Sequence, residues 1–315
     1  MHDRNANFNR MSRKQRGYCM KTIQKITSIL VIMFVFACCS SVHAGKQVTY
    51  TPSSTDTIKI ASFNIQVFGK TKAEKNDVME ILSQTIAEFD IVAIQEIRDK
   101  SGTAIEKLES LVDSLGTDYE YIQGPRLGRT SSKEQYAYFY RVSTVKPFDS
   151  YTFDDCARDM FHREPYIAYF KAIRGNFDFV LVNIHTDPDE ATEEIEALPL
   201  AIRDARKHFK DPDIIALGDF NGDCSYFREG TYPAIFPSEK FMWIVSNSAD
   251  TTVSKTDCTY DRIVATVSAA EDYTGKWGVY RFDRLYGLTL TNEQAKRVSD
   301  HYPVWAEFYI NRDSD

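Results

Sequence analysis

Apolar and polar positions along this chain switch repeatedly between a two-residue period and a helical one. Ile58-Lys59-Ile60-Ala61-Ser62-Phe63-Asn64 alternates as a half-buried strand does. Val78, Ile81, Leu82 and Ile86 then recur at helical spacing and predict a helix over residues 72–88. Asp90-Ile91-Val92-Ala93-Ile94 is a nearly unbroken apolar run, the pattern of a strand buried on both faces. Residues 104–115 return to helical spacing, and strands are predicted over residues 136–141, 166–173 and 177–184. A helix over residues 190–209, strands over 213–217 and 261–267, a short helix over 291–298 and a last strand over 303–310 complete the series. No linker rich in Pro, Gly or Ser divides it, and no fixed-period repeat or heptad run occurs. The pattern predicts one α/β domain over residues 56–315, with helices outside and function where strand ends meet loops.

The N-terminus breaks this pattern. Basic residues with almost no acids precede a continuously apolar run from Ile29 to Cys39, and Val42-His43-Ala44 follows as a small-x-small cleavage signal. The run is too short for a membrane span of about 20 residues, so residues 1–44 read as a secretory signal peptide. Met20-Lys21 opens a compact signal on its own and is a candidate true start. The alternatives are a buried core helix, disfavoured by the one-sided basic flank, and a lipoprotein acylated at Cys38 or Cys39. Phe34 and Phe36 are bulky where a lipobox takes small residues. Residues 45–55 then form an N-terminal extension, and the mature protein is secreted or periplasmic.

At 43% hydrophobic and 26% charged the chain has an ordinary globular composition. Removing residues 1–44, with seven Lys/Arg and one Asp, deepens the net charge from −7 to −13. Such a chain does not coat nucleic acid by bulk charge; acting on it would require metal ions and a local basic patch. Of six cysteines, Cys156, Cys224 and Cys258 lie beyond the signal, enough for one bridge and one leftover.

Polar residues recur where the apolar strands end. Asn64 closes one strand, Gln95-Glu96 another, and Asn183-Ile184-His185 a third. Gly218-Asp219-Phe220-Asn221 follows a fourth, Tyr260-Asp261-Arg262 opens a fifth, and Ser299-Asp300-His301 precedes the last. Singly, an Asp after a strand is a turn or cap residue, and a lone His is a core or surface residue. Together, several carboxylates and two histidines at strand ends of one α/β domain can converge on one rim.

The chain resembles the secreted, pancreatic-type deoxyribonuclease I family of the endonuclease/exonuclease/phosphatase superfamily, over nearly all of residues 58–308. The matching stretches include Lys59-Ile60-Ala61-Ser62-Phe63-Asn64-Ile65, Ile94-Gln95-Glu96-Ile97-Arg98-Asp99, Leu127-Gly128-Arg129 and Gly218-Asp219-Phe220-Asn221. The most specific are Ser248-Ala249-Asp250-Thr251-Thr252, Cys258-Thr259-Tyr260-Asp261-Arg262 and Ser299-Asp300-His301-Tyr302-Pro303. The resemblance implies a four-layer α/β sandwich: two mixed β-sheets packed face to face, with helices on both outer faces. It implies a metal-dependent endonuclease that hydrolyses phosphodiester bonds of DNA, double-stranded, with low sequence specificity, leaving 5′-phosphate ends. A monomer with no membrane partner is expected.

The same resemblance implies roles. His301 takes a proton from water, oriented by Asp261, and His185 protonates the leaving oxygen, paired with Glu134. Glu96 holds a catalytic Mg²⁺ (or Mn²⁺), with Asp219 and Asp300 nearby, as suits hard oxygen ligands. Asn64 and Asn221 donate to phosphoryl oxygens as charge develops. Arg98, Arg129, Arg163 and Tyr260 face DNA, mainly its phosphates and minor groove. Cys224 and Cys258 form a disulfide, and Asp250, Thr252, Ser254 and Thr256 form a structural Ca²⁺ loop; the bland alternatives are paired surface arginines and a plain Ser/Thr turn. The family's small disulfide loop is shortened around Cys156, which leaves that cysteine unpaired or intermolecular and puts a second Ca²⁺ site, at Asp155, Asp159 and Glu164, in doubt. Ser132 stands where the family has a groove-packing tyrosine, and Gln66 replaces a groove-reading arginine. The competing readings are a superfamily phosphodiesterase or phosphatase acting on a lipid or phosphoinositide, a toxin-type nuclease subunit, and a binding protein on a dead nuclease scaffold. The last expects a lost catalytic residue, and none is lost.

Overall fold

Twelve strands in two six-stranded sheets carry the computed structural model, which describes residues 56–155, 158–287 and 289–315. These residues belong to one compact unit, Pro52–Asp315. The expected signal peptide, the extension over residues 45–55 and Cys156 lie outside the described residues.

In chain order the elements are β1 (Thr57–Phe68), α1 (Lys70–Ala73), α2 (Asn76–Ala87), β2 (Ile91–Ile97), α3 (Thr103–Asp113), β3 (Tyr119–Gln123), β4 (Gln135–Arg141) and β5 (Val145–Thr152). They continue with β6 (Tyr166–Ala172), β7 (Asp178–His185), α4 (Ala191–Phe209), β8 (Ile214–Asp219), α5 (Tyr232–Ile235), β9 (Phe241–Trp243) and β10 (Asp261–Thr266). The last are α6 (Val267–Glu271), β11 (Tyr273–Val279), α7 (Asn292–Val298) and β12 (Val304–Tyr309). The single helix expected over residues 72–88 is two, α1 and α2, separated at Glu74 and Lys75.

The first sheet has the order β11-β12-β1-β2-β4-β3 and the second β5-β6-β7-β8-β10-β9. Each has one parallel pair at its centre, β1 with β2 and β7 with β8, each joined by a helical crossover. Every other pairing is antiparallel. Side chains on alternate strand positions therefore bury on opposite faces. Ile58, Ile60, Ala93, Tyr138, Phe170, Leu181, Leu217, Ile263 and Phe308 fill the space between the sheets. Phe63, Ile94 and Phe139 pack under α2 and α3 on one outer face, and Val180, Val182 and Ala216 under α4 on the other. This is a four-layer α/β sandwich. Thr291 caps α7 with a complete capping box, which fixes where the segment leading to His301 begins.

Both parallel pairs point their carboxyl ends to the same rim. Asn64 lies where the regular β1–β2 register breaks, four residues before the end of β1, Glu96 lies near the end of β2, and His185 and Asp219 end β7 and β8. The neighbouring antiparallel strands begin there, so Glu134 before β4, Arg163 before β6, Asp261 at the start of β10 and His301 before β12 join them.

Candidate active site

Backbone irregularity shapes this rim. The β1–β2 register shifts between Asn64 and Phe68, and Gln66, Val67 and Glu96 all have positive φ (42°, 51° and 60°). Such conformations cost free energy for residues with a Cβ and are held by their surroundings. Here Val67 N donates to Glu96 Oε2 (2.8 Å) and Gln66 N to Asn64 Oδ1 (2.8 Å). Lys72, buried in α1, donates to the carbonyls of Ile65, Gln66 and Val298, clamping the end of β1 to the segment that carries Asp300 and His301. On the second sheet, Gly218 is required for the approach of β8 to β7: a Cβ there would lie 1.8 Å from the Ile184 carbonyl oxygen.

Two histidine–carboxylate pairs span the two sheets. His185 Nδ1 lies 2.9 Å from Glu134 Oε2, and His301 Nδ1 lies 2.8 Å from Asp261 Oδ2. Each imidazole is thus held by an acid from the opposite sheet, which fixes the ring and leaves Nε2 pointing into the site. Both Nε2 atoms face one atom, Asp219 Oδ2, at 3.6 Å from His185 and 3.4 Å from His301. Asn64 Nδ2 donates to the same oxygen (2.9 Å) and to Glu96 Oε1 (3.2 Å). Gln66 Nε2 donates to Asp300 Oδ2 (2.7 Å). Asn221 turns its amide to the Thr186 carbonyl (3.1 Å), while its N–H donates to Asp219 Oδ1 (3.0 Å).

The charges around the two imidazoles differ. Burial and the Arg163 charge oppose a proton on His185, but Glu134 and Asp219 outweigh them and its pKa is raised. Burial also opposes a proton on His301, yet Asp261, Asp219 and Asp300 hold its pKa well above 6.5. Glu134 falls to about 2 although burial opposes it, through His185, Arg163 and Arg98.

Arg98 bridges Glu96 (3.1 Å) and Glu134 (2.9 Å) and also donates to Ser132. Arg129 is partly exposed and pairs with Asp159 and Glu190. Arg163 differs from the expectation of a DNA-facing arginine. It is only 6% exposed, donates to the carbonyls of His185 (3.1 Å) and Thr186 (3.0 Å), and lies 3.6 Å from Glu134. It supports the His185 segment from below, where it is desolvated. Tyr260 lies beside both Tyr226 and His301, with ring centroids at 5.5 and 6.1 Å.

The donor set suits a hard divalent cation. Glu96, Glu134, Asp219, Asp261 and Asp300 outnumber the guanidinium groups of Arg98 and Arg163, and buried Asp300 Oδ1 has no hydrogen-bond donor. Glu96, Asp219 and Asp300 do not gather as one tight group; Asp219, Asp261 and His301 do. Asp250, Thr252, Ser254 and Thr256 do come together, with Thr252 Oγ1 donating to Asp250 Oδ1 (3.0 Å) and Ser254 Oγ contacting both Thr252 and Thr256. That loop is tied to the site: Thr252 bridges His301, and Thr251 Oγ1 accepts from Asp261 N (3.2 Å). Asp155 instead accepts from Phe161 N (2.9 Å) and Asp159 pairs with Arg129, so these acids do not assemble with Glu164 among the described residues. Cys224 and Cys258 are disulfide-bonded.

Sequence reasoning missed Lys72, the Gln66–Asp300 contact and Tyr136, whose hydroxyl accepts from His185 N (2.8 Å). The one available signal was a lysine next to the apolar face of a predicted helix.

Residues 61–301 match the Endonuclease/Exonuclease/phosphatase family. The chain is similar to Deoxyribonuclease-1 of Rattus norvegicus, 38% identical over 256 residues, covering 79% of this chain and 90% of that protein. Deoxyribonuclease-1 of Homo sapiens is 37% identical over 260 residues, covering 78% of this chain and 90% of that protein. Among solved structures, an endonuclease/exonuclease/phosphatase family protein from Bacteroides thetaiotaomicron shares the fold. Its TM-score is 0.57 at 17% identity, covering 83% of this chain and 100% of that one. D. rerio TDP2 complexed with single strand DNA product also shares the fold, with a TM-score of 0.55 at 16% identity, covering 80% of this chain and 98% of that one.

Proposed function

The chain belongs to the endonuclease/exonuclease/phosphatase family, in its deoxyribonuclease I-like group, and from that premise we propose a secreted or periplasmic DNA endonuclease. It cuts phosphodiester bonds of duplex DNA with low sequence specificity and leaves 5′-phosphate ends. The observation that carries this reading is the convergence of two oriented imidazoles on one oxygen, Asp219 Oδ2.

Hydrolysis of a phosphodiester needs a deprotonated water and a proton for the leaving oxygen. His301, fixed by Asp261, takes the first proton at Nε2 from its neutral form, which a cation held by Asp219 and Asp300 would favour by offsetting the carboxylates that raise its pKa. His185, fixed by Glu134, delivers the second from its own Nε2. Asn64 and Asn221 donate amide hydrogens to the phosphoryl oxygens, and Asp219 keeps both imidazoles turned inward. Glu96, with Asp219 and Asp300, would hold Mg²⁺ or Mn²⁺, whose charge neutralises the phosphoryl group. Asp250, Thr252, Ser254 and Thr256 would hold a structural Ca²⁺ that steadies the Asp261–His301 pair. Arg98, Arg129 and Tyr260 contact the DNA, mostly its backbone, and Arg163 positions His185. Export after loss of residues 1–44 suits the disulfide, and the protein works as a monomer away from membranes.

The test is supercoiled-plasmid nicking by the purified protein in EDTA, in Mg²⁺, and in Mg²⁺ plus Ca²⁺. Nicking in Mg²⁺ that EDTA abolishes, with phosphatase-sensitive 5′ ends, is expected. No metal-dependent nicking would overturn the proposal.

A further inference from the structure

The rim opposite the imidazoles gathers six aspartates. Asp178 opens β7, Asp211 and Asp213 precede β8, Asp272 precedes β11, and Asp313 and Asp315 follow β12. β8 alone separates Asp213 from Asp219, roughly 20 Å at strand rise, so this cluster is remote from the site already described.

Three overlapping sets of ligand oxygens lie here within 4.8 Å of one another: Asp213, Asp272 and Asp313; Asp211, Asp213 and Asp315; Asp178, Asp313 and Asp315. Some of these carboxylates have partners. Asp178 accepts from Lys171 Nζ (2.7 Å) and Tyr169 OH (2.8 Å), Asp211 Oδ1 from Asp213 N (2.8 Å), and Asp313 from Asp178 N (3.3 Å) and Asp315 N (3.2 Å). Ser268 hydrogen-bonds the Asp213 side chain, and the Arg312 charge acts on Asp272. Asp272 is different. It is 2% exposed, and its Oδ1 meets no hydrogen-bond donor, as is also true of Oδ1 of Asp213, 1% exposed. Buried carboxylate oxygens without a donor are costly and mark a missing partner.

We propose that Asp213, Asp272 and Asp313 bind one divalent cation of the Ca²⁺ type, with Asp211, Asp178 and Asp315 around it. All-oxygen, carboxylate-rich ligation with adaptable geometry favours Ca²⁺ over the smaller, stricter Mg²⁺. The bound ion fastens the C-terminal segment to the entry of β8 and β11. In its absence protons must take its place, in keeping with burial and mutual repulsion raising Asp211, Asp213 and Asp272 to about 7.

The experiment is Ca²⁺ titration of the EDTA-stripped full protein by calorimetry, with Tm measured at each end point. Asp272→Asn, and Asp313→Asn on the more peripheral tail, should each bind one Ca²⁺ fewer per chain and lose part of the Ca²⁺-dependent rise in Tm. Asp250→Ala, in the other candidate loop, should keep that equivalent. If Asp272→Asn and Asp313→Asn both bind as much Ca²⁺ as the unaltered protein, the proposal is wrong. A Tm gain in Asp272→Asn that is independent of Ca²⁺, at unchanged stoichiometry, would equally overturn it and assign the cluster to shared protons.

Discussion

The two sheets repeat one topology and spend it differently. Each has a central parallel pair whose carboxyl ends reach the rim, with an acid before or at the start of a flanking strand. The first sheet sets Asn64, Glu96, Glu134 and His301 there; the second sets His185, Asp219, Asp261 and Arg163. His301 and Arg163 occupy equivalent places, each three residues before its strand. So one half places an imidazole where the other places a buried guanidinium. The pairs then cross, since each imidazole is held by the acid of the other sheet. Asp219 faces both imidazoles, but the Glu134–His185 pair is also flanked by Arg163 and Arg98, whereas His301 has Asp300 beside it as a further acid. Equivalent geometry thus yields two different proton affinities, and both depend on how the sheets pack.

The largest effects should come from the imidazoles themselves. His185→Ala and His301→Ala should each slow plasmid nicking by about 10²–10⁴-fold, the usual worth of a general acid or base, with circular dichroism unchanged. The orienting acids should separate the halves. Glu134→Gln strands Arg163 in the interior and should cost about 3–5 kcal/mol in urea unfolding. Asp261→Asn should cost less, because His301 can release its proton. Equal losses would mean that Arg163 does not depend on Glu134. The disulfide belongs to the second sheet, joining the loops after β8 and before β10 across 34 residues. Cys224→Ser with Cys258→Ser should lower stability by about 3–4 kcal/mol and impair the Asp261–His301 pair first. A smaller effect is readable by NMR titration in EDTA. Both imidazoles should titrate above 6.5, His301 at the higher pH, and Arg163→Gln should raise His185 alone. Because both folded pKa values are raised, the stability these pairs contribute is complete below pH 6.5 and is lost as pH rises through each folded value.

Eight strands were legible in the sequence, and they are the eight inner ones. The four edge strands, β3, β5, β9 and β11, were not. Inner strands such as β7 and β8 are buried almost throughout and read as apolar runs. β5 carries Lys146, Pro147 and Asp149, and β11 carries two glycines and Lys276; each is partly exposed and has no such run. The site was legible in the same graded way. Its dyads came with motifs at strand ends. The burial of Arg163, the Lys72 clamp and the hold of Gln66 on Asp300 did not, because they are contacts between distant segments with no local periodicity. Gln66, read from sequence as the loss of a groove-reading side chain, has a partner inside the site instead.

In the proposed reaction, phosphodiester cleavage runs through two imidazoles held across the sheets. Its most direct test is supercoiled-plasmid nicking in Mg²⁺ by the doubly substituted protein, His185→Ala with His301→Ala, shown to be folded beside the unaltered chain. Nicking at the level of the buffer control is expected. Retention of more than about a tenth of the unaltered rate, far above what loss of an acid–base pair allows, would contradict it.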